Sequence, residues 1–166
     1  DYHFVSRDAF QNLVRQGQLL EYAEVFGNFY GTPRSPVDSA LKDGRDLIFD
    51  IDWQGARQLT ENARDDLVTV FVLPPHASEL ERRLLSRAQD AAETIEKRMA
   101  KAPDELSHYP EYDYVVVNYD LETSVEQVMA ILNAERQRRQ RFVGLATFVR
   151  GLQEQVRAKY PGGELQ

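Results

Sequence analysis

The sequence has no cysteine and only three histidines among its 166 residues. Without cysteine the chain has no disulfide, no thiolate metal ligand and no thiol nucleophile. The histidines, His3, His76 and His108, do not have the spacing of metal ligands, and the sequence shows no evident partner for His76 or His108. A cysteine-based zinc site and a cysteine hydrolase are therefore excluded.

An excess of positive charge and a long apolar run are also missing. The formal net charge is −7, which argues against a general nucleic-acid binder but leaves room for a local basic pocket. The longest apolar run, near residues 67–73, is too short to span a bilayer, and no signal peptide is evident. We expect one cytoplasmic domain with a small inserted lobe, binding neither nucleic acid nor membrane.

The most informative stretch is residues 46–55, an apolar run that ends in two acids. Leu47, Ile48 and Phe49 show no polar alternation, which predicts a buried parallel strand over residues 46–52. Asp50 and Asp52 would point the same way at its carboxyl end, where open α/β sheets bind ligands. Such a pair suits hydrated Mg²⁺ or the donors of a nucleotide. Capping of the following helix is the alternative.

Strands alternate with helices after residue 46, which predicts βαβ units around a parallel sheet. Before them, residues 1–34 predict a small mixed lobe with a short strand at 2–5, a helix, and strands at 19–26 and 29–31. A capping box at Ser78 predicts the start of an arginine-rich helix. Pro103 is expected to kink or restart the helix around it. Residues 136–141 are expected to be a solvated last turn.

Three arginines on the helical segment could bind a triphosphate. Arg83 and Arg87 are four residues apart and share a helix face, and Arg98 follows after a polar break. Guanidinium groups bind phosphate oxygens in pairs and offset the charge of phosphoryl transfer. The alternative is an exposed helix with a Glu79–Arg83 ion pair.

Polar residues in the first lobe could recognise a base and a phosphate. Glu21 interrupts an apolar strand, and a carboxylate can accept both donors of guanine's pairing edge, which adenine lacks. Thr32 could bind the same base, and Tyr2 and Tyr30 could donate to a monophosphate. Asn118, after the predicted strand at 112–117, could face a base or cap the next helix.

Several segments, in order from Asp1 to about Phe148, together resemble guanylate kinase. They are Asp1-Tyr2-His3-Phe4-Val5, Leu20-Glu21-Tyr22-Ala23, Gly27-Asn28-Phe29-Tyr30-Gly31-Thr32, Asp50-Ile51-Asp52-Trp53-Gln54-Gly55, Glu81-Arg82-Arg83-Leu84 and Tyr112-Asp113-Tyr114-Val115-Val116-Val117-Asn118. The combination is specific, although no single segment is.

The resemblance implies an α/β fold with a P-loop nucleoside-monophosphate-kinase-like parallel sheet core, a small mixed β GMP-binding lobe and a helical lid. With the element order it predicts a GMP lobe at 1–34, a core at 35–78 and 102–152, a lid at 79–101 and a tail at 153–166. It implies phosphoryl transfer from ATP to GMP with Mg²⁺ as cofactor, and no direct protein ligand to the metal.

The resemblance also assigns roles by position. Tyr2 and Tyr30 would hold the GMP phosphate, and Glu21 and Thr32 would read guanine. Asp50 and Asp52 would line the site between GMP and the Mg²⁺ shell. Arg83, Arg87 and Arg98 would clamp ATP and the transferred phosphoryl group, with Asp50 counted among the catalytic residues and Asn118 beside the adenine.

The sequence departs from the family in three places. The phosphate-binding loop G-x-x-x-x-G-K-[ST] does not occur in these residues, so the 166-residue polypeptide is expected to bind ATP poorly and not to turn over. We expect that a segment upstream of Asp1 either has been removed or is simply not included in these 166 residues. Ala88 stands where the lid normally has glycine, and Pro103 falls in a helix.

Two alternatives to an enzyme remain at this point: a non-catalytic guanylate-kinase-like binding module and an inactive fragment. Loss of the phosphate loop favours them. Retention of the two acids and the three arginines favours the kinase, because a binding module has no use for residues on the ATP side.

Overall fold

The computed structural model describes residues 3–25, 27–87 and 92–161, without the side chains of 87 and 92–94. The chain divides into two compact units, Asp1–Val117 and Asn118–Gln166. The first contains α1 (Arg7–Arg15), β1 (Leu19–Val25), β2 (Asn28–Pro33), α2 (Arg34–Lys42), α3 (Trp53–Ala63), β3 (Val70–Leu73), α4 (Ala77–Arg87), α5 (Ala92–Ser107) and β4 (Tyr114–Val117). The second contains α6 (Leu121–Arg136) and α7 (Leu145–Lys159).

The first unit begins with a helix and an antiparallel hairpin, as the sequence predicts. The hydroxyl of Ser6 accepts a hydrogen bond from the backbone N–H of Ala9 and caps α1. β1 and β2 pair antiparallel, with Glu21 opposite Thr32. Gly27 lies in their connection at φ +82°, which glycine adopts without strain. The register therefore sets Glu21 and Thr32 side by side on one face of the hairpin.

Helix α3 packs against β1 and closes the core of the hairpin. Its residue Leu59 is buried together with Leu20 of β1 and Val37 of α2. Phe49 and Ile51 pack against the same cluster from the segment before α3. Each such side chain contributes roughly 1.5–3 kcal/mol when fully buried. The apolar face of α3 therefore fixes the helix against β1.

The predicted strand at residues 46–52 is not present. Ile48 is 90% exposed and Leu47 is 40% exposed, whereas Phe49 and Ile51 turn toward the core. An extended segment becomes a strand only when a neighbour accepts its backbone hydrogen bonds. Within the described residues β3 and β4 pair only with each other, so this segment has no strand beside it. Residues 3–5 likewise form no strand.

The parallel pair β3–β4 is anchored where both strands begin. The backbone N–H and the hydroxyl of Thr69 each donate to the carboxylate of Asp113 at 2.9 Å, and Asp113 N–H donates to that hydroxyl at 2.9 Å. Arg64 binds the same carboxylate through both terminal nitrogens. This network joins the end of the α3 region to both strands.

The arginine-rich segment forms two helices that contact each other, α4 and α5. Helix α4 begins at Ala77, so Ser78 lies inside its first turn and is not the capping residue that we predicted. Helix α5 continues through Pro103 to Ser107. The expected restart is therefore wrong, because the helix tolerates the loss of the one backbone hydrogen bond that proline cannot donate.

The second unit consists of α6, α7 and the turn between them. Two arginines of the turn that we expected to be solvated bind the end of α6. Glu135, 5% exposed, is bound by Arg138 at 3.2 Å and lies 3.7 Å from Arg141. Helix α7 runs without a break from Leu145 to Lys159. Across the part of the chain that the structure describes, no helix combines the length and the apolar character needed to cross a bilayer.

Candidate active site

The carboxylate of Glu21 is buried and held from two sides. The side chain is on β1, and the residue is 4% exposed. The hydroxyl of Thr32 donates a 2.6 Å hydrogen bond to Oε1. Oε2 faces Gly55 of α3, where an added Cβ would lie 2.8 Å away. A carboxylate has about four acceptor positions, so one bond from Thr32 leaves acceptor capacity for a further pair of donors.

Tyr30 lies on the same face of the hairpin as Glu21 and Thr32. It precedes Thr32 by two residues on β2, and side chains two apart in a strand point the same way. Tyr30 is 44% exposed, so part of its ring reaches solvent. Tyr2, predicted to act with it, lies outside the described residues, and its role stays a prediction.

Asp52 caps helix α3. Its Oδ1 accepts a 2.9 Å hydrogen bond from the backbone N–H of Gly55, and its Oδ2 accepts one of 3.3 Å from the side chain of Gln54. The capping alternative is therefore correct for Asp52, and it places the carboxylate at the positive end of the helix dipole. The same glycine thus contacts the side chains of both Asp52 and Glu21.

Asp50 is the exposed member of the predicted carboxylate pair. It lies in the irregular segment before α3, between the inward-facing Phe49 and Ile51. Exposure leaves its oxygens accessible to water or to a hydrated cation. The structure therefore separates the two acids, with Asp52 engaged in the helix cap and Asp50 facing outward.

An aromatic contact that the sequence did not reveal follows Asp52. The ring of Trp53 stacks on the ring of His108, with centroids 3.8 Å apart and planes at 11°. Nδ1 of His108 lies 2.6 Å from Oε1 of Glu111, and this contact lowers the pKa of Glu111. His108 thus has two partners that the sequence reading missed, although the spacing of three residues to Glu111 was a usable signal. The stack ties the start of α3 to the region that follows α5.

Burial raises the pKa of Tyr112, and the carboxylates of Asp52 and Glu111 raise it further. The phenol of Tyr112 is therefore neutral at physiological pH. Its ring packs edge-on against Phe71 of β3, with centroids 4.8 Å apart. This contact joins β3 to the residues that precede β4.

The predicted arginines lie on α4 and α5. Nε of Arg83 donates to Glu79 at 2.6 Å, and the same carboxylate binds Arg82 at 2.7 Å. The two arginines lower the pKa of Glu79 to about 2, so its charge persists throughout the neutral range. The Glu79–Arg83 ion pair that we gave as the alternative is therefore present. It holds one nitrogen of a guanidinium that has five N–H donors.

Arg87 closes α4 one turn after Arg83, so the backbone places both on one helix face, but the side chain of Arg87 lies outside the described residues. Arg98 is half-buried on α5. The structure brings the two helices into contact. A joint role of the three arginines stays a prediction.

Asn118 belongs to the second unit and precedes α6. The residue that caps α6 is Asp120, whose carboxylate accepts a 2.8 Å hydrogen bond from the backbone N–H of Thr123. The capping interpretation of Asn118 is therefore wrong, because Asp120 has the residue type and the position for it. Its proposed place beside adenine stays a prediction.

The sequence and the fold were compared with known proteins. A family model described as guanylate kinase matches residues 1–135. A guanylate kinase of Paramagnetospirillum magneticum is 62% identical over 149 residues, which are 90% of this chain and 70% of that protein. One of Bradyrhizobium diazoefficiens is 56% identical over 156 residues, 94% of this chain and 71% of that protein. The chain belongs to the guanylate kinase family.

A solved guanylate kinase has the same fold. The crystal structure of guanylate kinase from Anaplasma phagocytophilum matches with a TM-score of 0.76 at 37% identity, over 98% of this chain and 76% of that one. The fold is therefore that of the P-loop nucleoside-monophosphate kinases, as predicted: a parallel-sheet core with a small mixed β lobe and a helical lid. The family resemblance found in the sequence is confirmed.

Proposed function

We propose that the hairpin β1–β2 and the start of α3 form the GMP-recognition site of this guanylate kinase. The activity, which follows from family membership, is phosphoryl transfer from ATP to GMP, giving ADP and GDP. The observation that carries the site assignment is the buried carboxylate of Glu21, fixed by Thr32 and lying against Gly55. None of the relatives compared favours a non-catalytic binding module.

The chemistry of the base explains why a carboxylate would occupy this position. Guanine presents N1–H and N2–H₂ on one edge, and a carboxylate accepts both in a paired geometry. Adenine presents an acceptor at N1, so it would leave the Glu21 carboxylate facing a lone pair. A buried polar group left without its partner discriminates strongly between ligands. Thr32 holds Glu21 in place and has a second lone pair for the base, while Tyr30 on the same face would donate to the phosphate.

The ATP side of the reaction would be served by the lid arginines. Phosphoryl transfer spreads negative charge over the transferred group, and guanidinium groups offset that charge when the lid closes. Arg83, Arg87 and Arg98 are on the two contacting helices α4 and α5. Glu79 would keep Arg83 extended along α4 before the nucleotide arrives.

The Mg²⁺ that accompanies ATP would be held mostly by phosphate oxygens and water. Among the described residues, no group of three or more His, Cys, Asp or Glu side chains could form a protein cage for a metal ion. Both oxygens of Asp52 are already engaged by the start of α3. Exposed Asp50 is the carboxylate that fits the hydrated ion, which retains water and binds one or two carboxylates in such enzymes. The ion would supply charge neutralisation on the phosphates.

The test is the variant Glu21→Gln in the full-length protein. The amide loses the negative charge and presents one acceptor and one donor, so GMP affinity is expected to fall about a hundredfold while ATP affinity stays within about twofold. Calorimetric titration with each nucleotide measures both. An equal loss of affinity for GMP and ATP would show that Glu21 does not recognise guanine.

A further inference from the structure

Helix α3 binds the edge of β1 through side-chain amides. Nε2 of Gln58 donates a 2.7 Å hydrogen bond to the carbonyl of Tyr22, and Oε1 of Gln58 accepts one of 3.1 Å from the N–H of Tyr22. Nδ2 of Asn62 donates a 3.2 Å bond to the carbonyl of Leu20. Leu20 and Tyr22 flank Glu21 on β1, so α3 binds the backbone on both sides of that residue.

The two amides act as a substitute for a neighbouring strand. A glutamine amide carries one donor and one acceptor in the arrangement of a peptide group, so Gln58 satisfies Tyr22 as a paired strand would. Residues 58 and 62 are one helical turn apart, about 6 Å along α3. Residues 20 and 22 are about 6.6 Å apart along β1. The near match of these spacings lets successive turns of α3 bind alternate residues of β1.

The same face of α3 also contacts the side chain of Glu21. Gly55 is three residues before Gln58, and Asn62 is four after it, so all three lie on one side of the helix. The carboxylate of Glu21 lies against Gly55, where a Cβ would approach within 2.8 Å. Helix α3 therefore contacts Glu21 itself and the backbone on both sides of it.

We propose that Gln58 is a positioning residue for guanine recognition. By binding both backbone groups of Tyr22 it fixes the strand at the residue after Glu21, and so sets the direction in which that buried carboxylate points. This inference rests on the proposed role of Glu21. Gln58 itself does not touch the base in this arrangement.

A positioning role and a merely structural role differ in what they do to discrimination. Reading two donors with one carboxylate requires both oxygens in a fixed plane, so a rotated carboxylate loses the second hydrogen bond first. IMP has N1–H but lacks the 2-amino group of GMP. The dissociation constant for IMP divided by that for GMP therefore reports on that second bond, and the ratio falls when the bond is lost. General destabilisation of the lobe would weaken both nucleotides alike and leave the ratio unchanged.

The experiment is calorimetric titration of GMP and IMP into the full-length protein and its Gln58→Met variant. Methionine matches glutamine in length and helix propensity but lacks the amide. The ratio of the two dissociation constants is expected to fall about three- to tenfold, since neutral hydrogen bonds of this kind contribute a few-fold each. Gln127→Met on the exposed surface of α6 is the matched control and is expected to keep the ratio of the unmodified protein.

Glu21→Gln, measured in parallel, separates the two ideas. If Glu21→Gln lowers the ratio and Gln58→Met does not, the positioning role is wrong and the proposed site stands. If Glu21→Gln leaves the ratio unchanged, the guanine contact itself is wrong. Should Gln58→Met fail to fold, Gln58→Glu keeps the length and an acceptor for Tyr22 N–H while losing the donor. A lowered ratio in that variant supports the inference, and an unchanged one overturns it.

Discussion

A Cβ atom on residue 55 would lie 2.8 Å from Oε2 of Glu21, closer than real Cβ contacts come. Gly55 lies inside α3, where a glycine normally weakens a helix by about 1 kcal/mol relative to alanine. Its backbone conformation does not require glycine, so glycine is needed here for the space that a side chain would occupy. The close approach of α3 to the Glu21 carboxylate depends on the missing side chain.

Gly55→Ala is expected to displace the Glu21 carboxylate. The new methyl group would push against Oε2 and against Cβ of Ile51, 3.4 Å away, and the side-chain end gives way before the backbone does. GMP affinity should fall about tenfold or more, in line with overpacking of about 1–3 kcal/mol. Titration with GMP measures the effect. Gly151→Ala on α7 is the control, because nothing lies within 4 Å of its Cβ position; unchanged GMP affinity in Gly55→Ala would contradict the geometry.

Asp113→Asn is expected to reduce stability at neutral pH more than at acid pH. The Arg64 guanidinium, assisted by Thr69 and opposed by burial, lowers the pKa of Asp113 to about 2. A carboxyl whose pKa is lower in the folded state stabilises the fold above its unfolded value near 4, and the contribution is lost as the pH falls toward 2. The side chain is 25% exposed and Arg64 is 52% exposed, so screening reduces the effect to about 1–2 kcal/mol.

Urea unfolding between pH 7 and pH 3 measures this contribution. The gap in unfolding free energy between the unmodified protein and Asp113→Asn should be widest at pH 7 and narrow below pH 4. Asp65→Asn, which removes an exposed carboxylate from the same turn as Arg64, is the control. A gap in unfolding free energy that is constant with pH would show that the charge of Asp113 does not contribute to stability.

The fluorescence of Trp53 should report the stack on His108. Trp53 is the single tryptophan of the chain, and its ring is stacked on that imidazole with centroids 3.8 Å apart. His108→Ala removes the ring that covers one face of the indole, so the emission maximum of the folded protein is expected to move to longer wavelength as water reaches that face. His76→Ala, at an exposed histidine, is the control and should keep the spectrum of the unmodified protein. An unchanged spectrum in His108→Ala would contradict the stack.

Arg87→Ala should lower kcat of the full-length enzyme with little change in the KM for GMP. A guanidinium that offsets charge developing on the transferred group acts in the transition state and not in GMP binding. The loss is expected to be at least about a hundredfold. Steady-state assays of ADP formation measure both constants. Arg82→Ala, which removes an exposed arginine of the same helix, is the comparison. A change in KM alone would show that Arg87 does not stabilise the transition state.

Local signals predicted most of the helices. Ser6 caps α1 as its residue type requires, and the apolar spacing along α3 places Leu59 in the core. The hairpin followed from the turn at Gly27 and from the apolar residues on either side of it. Such features depend on neighbours a few residues apart, so the sequence contains their physical cause.

The strand predicted at residues 46–52 failed for a different reason. Its apolar run has the composition of a buried strand, but a strand exists only where another supplies hydrogen-bond partners. The exposed Ile48 shows that composition does not supply that neighbour. The prediction that Asp50 and Asp52 point the same way was wrong for the same reason, because it assumed a regular strand.

The sequence by itself determined the family, the helices and the residue types of the site, because these reside in local patterns and in motifs that follow one another along the chain. Only the tertiary structure decided that the buried carboxylate of Glu21 lies against Gly55, that Gln58 binds the strand beside it, and that Trp53 stacks on His108. Those contacts join residues far apart in the chain. Their geometry comes from packing α3 on β1 and on the region after α5, which no local pattern encodes.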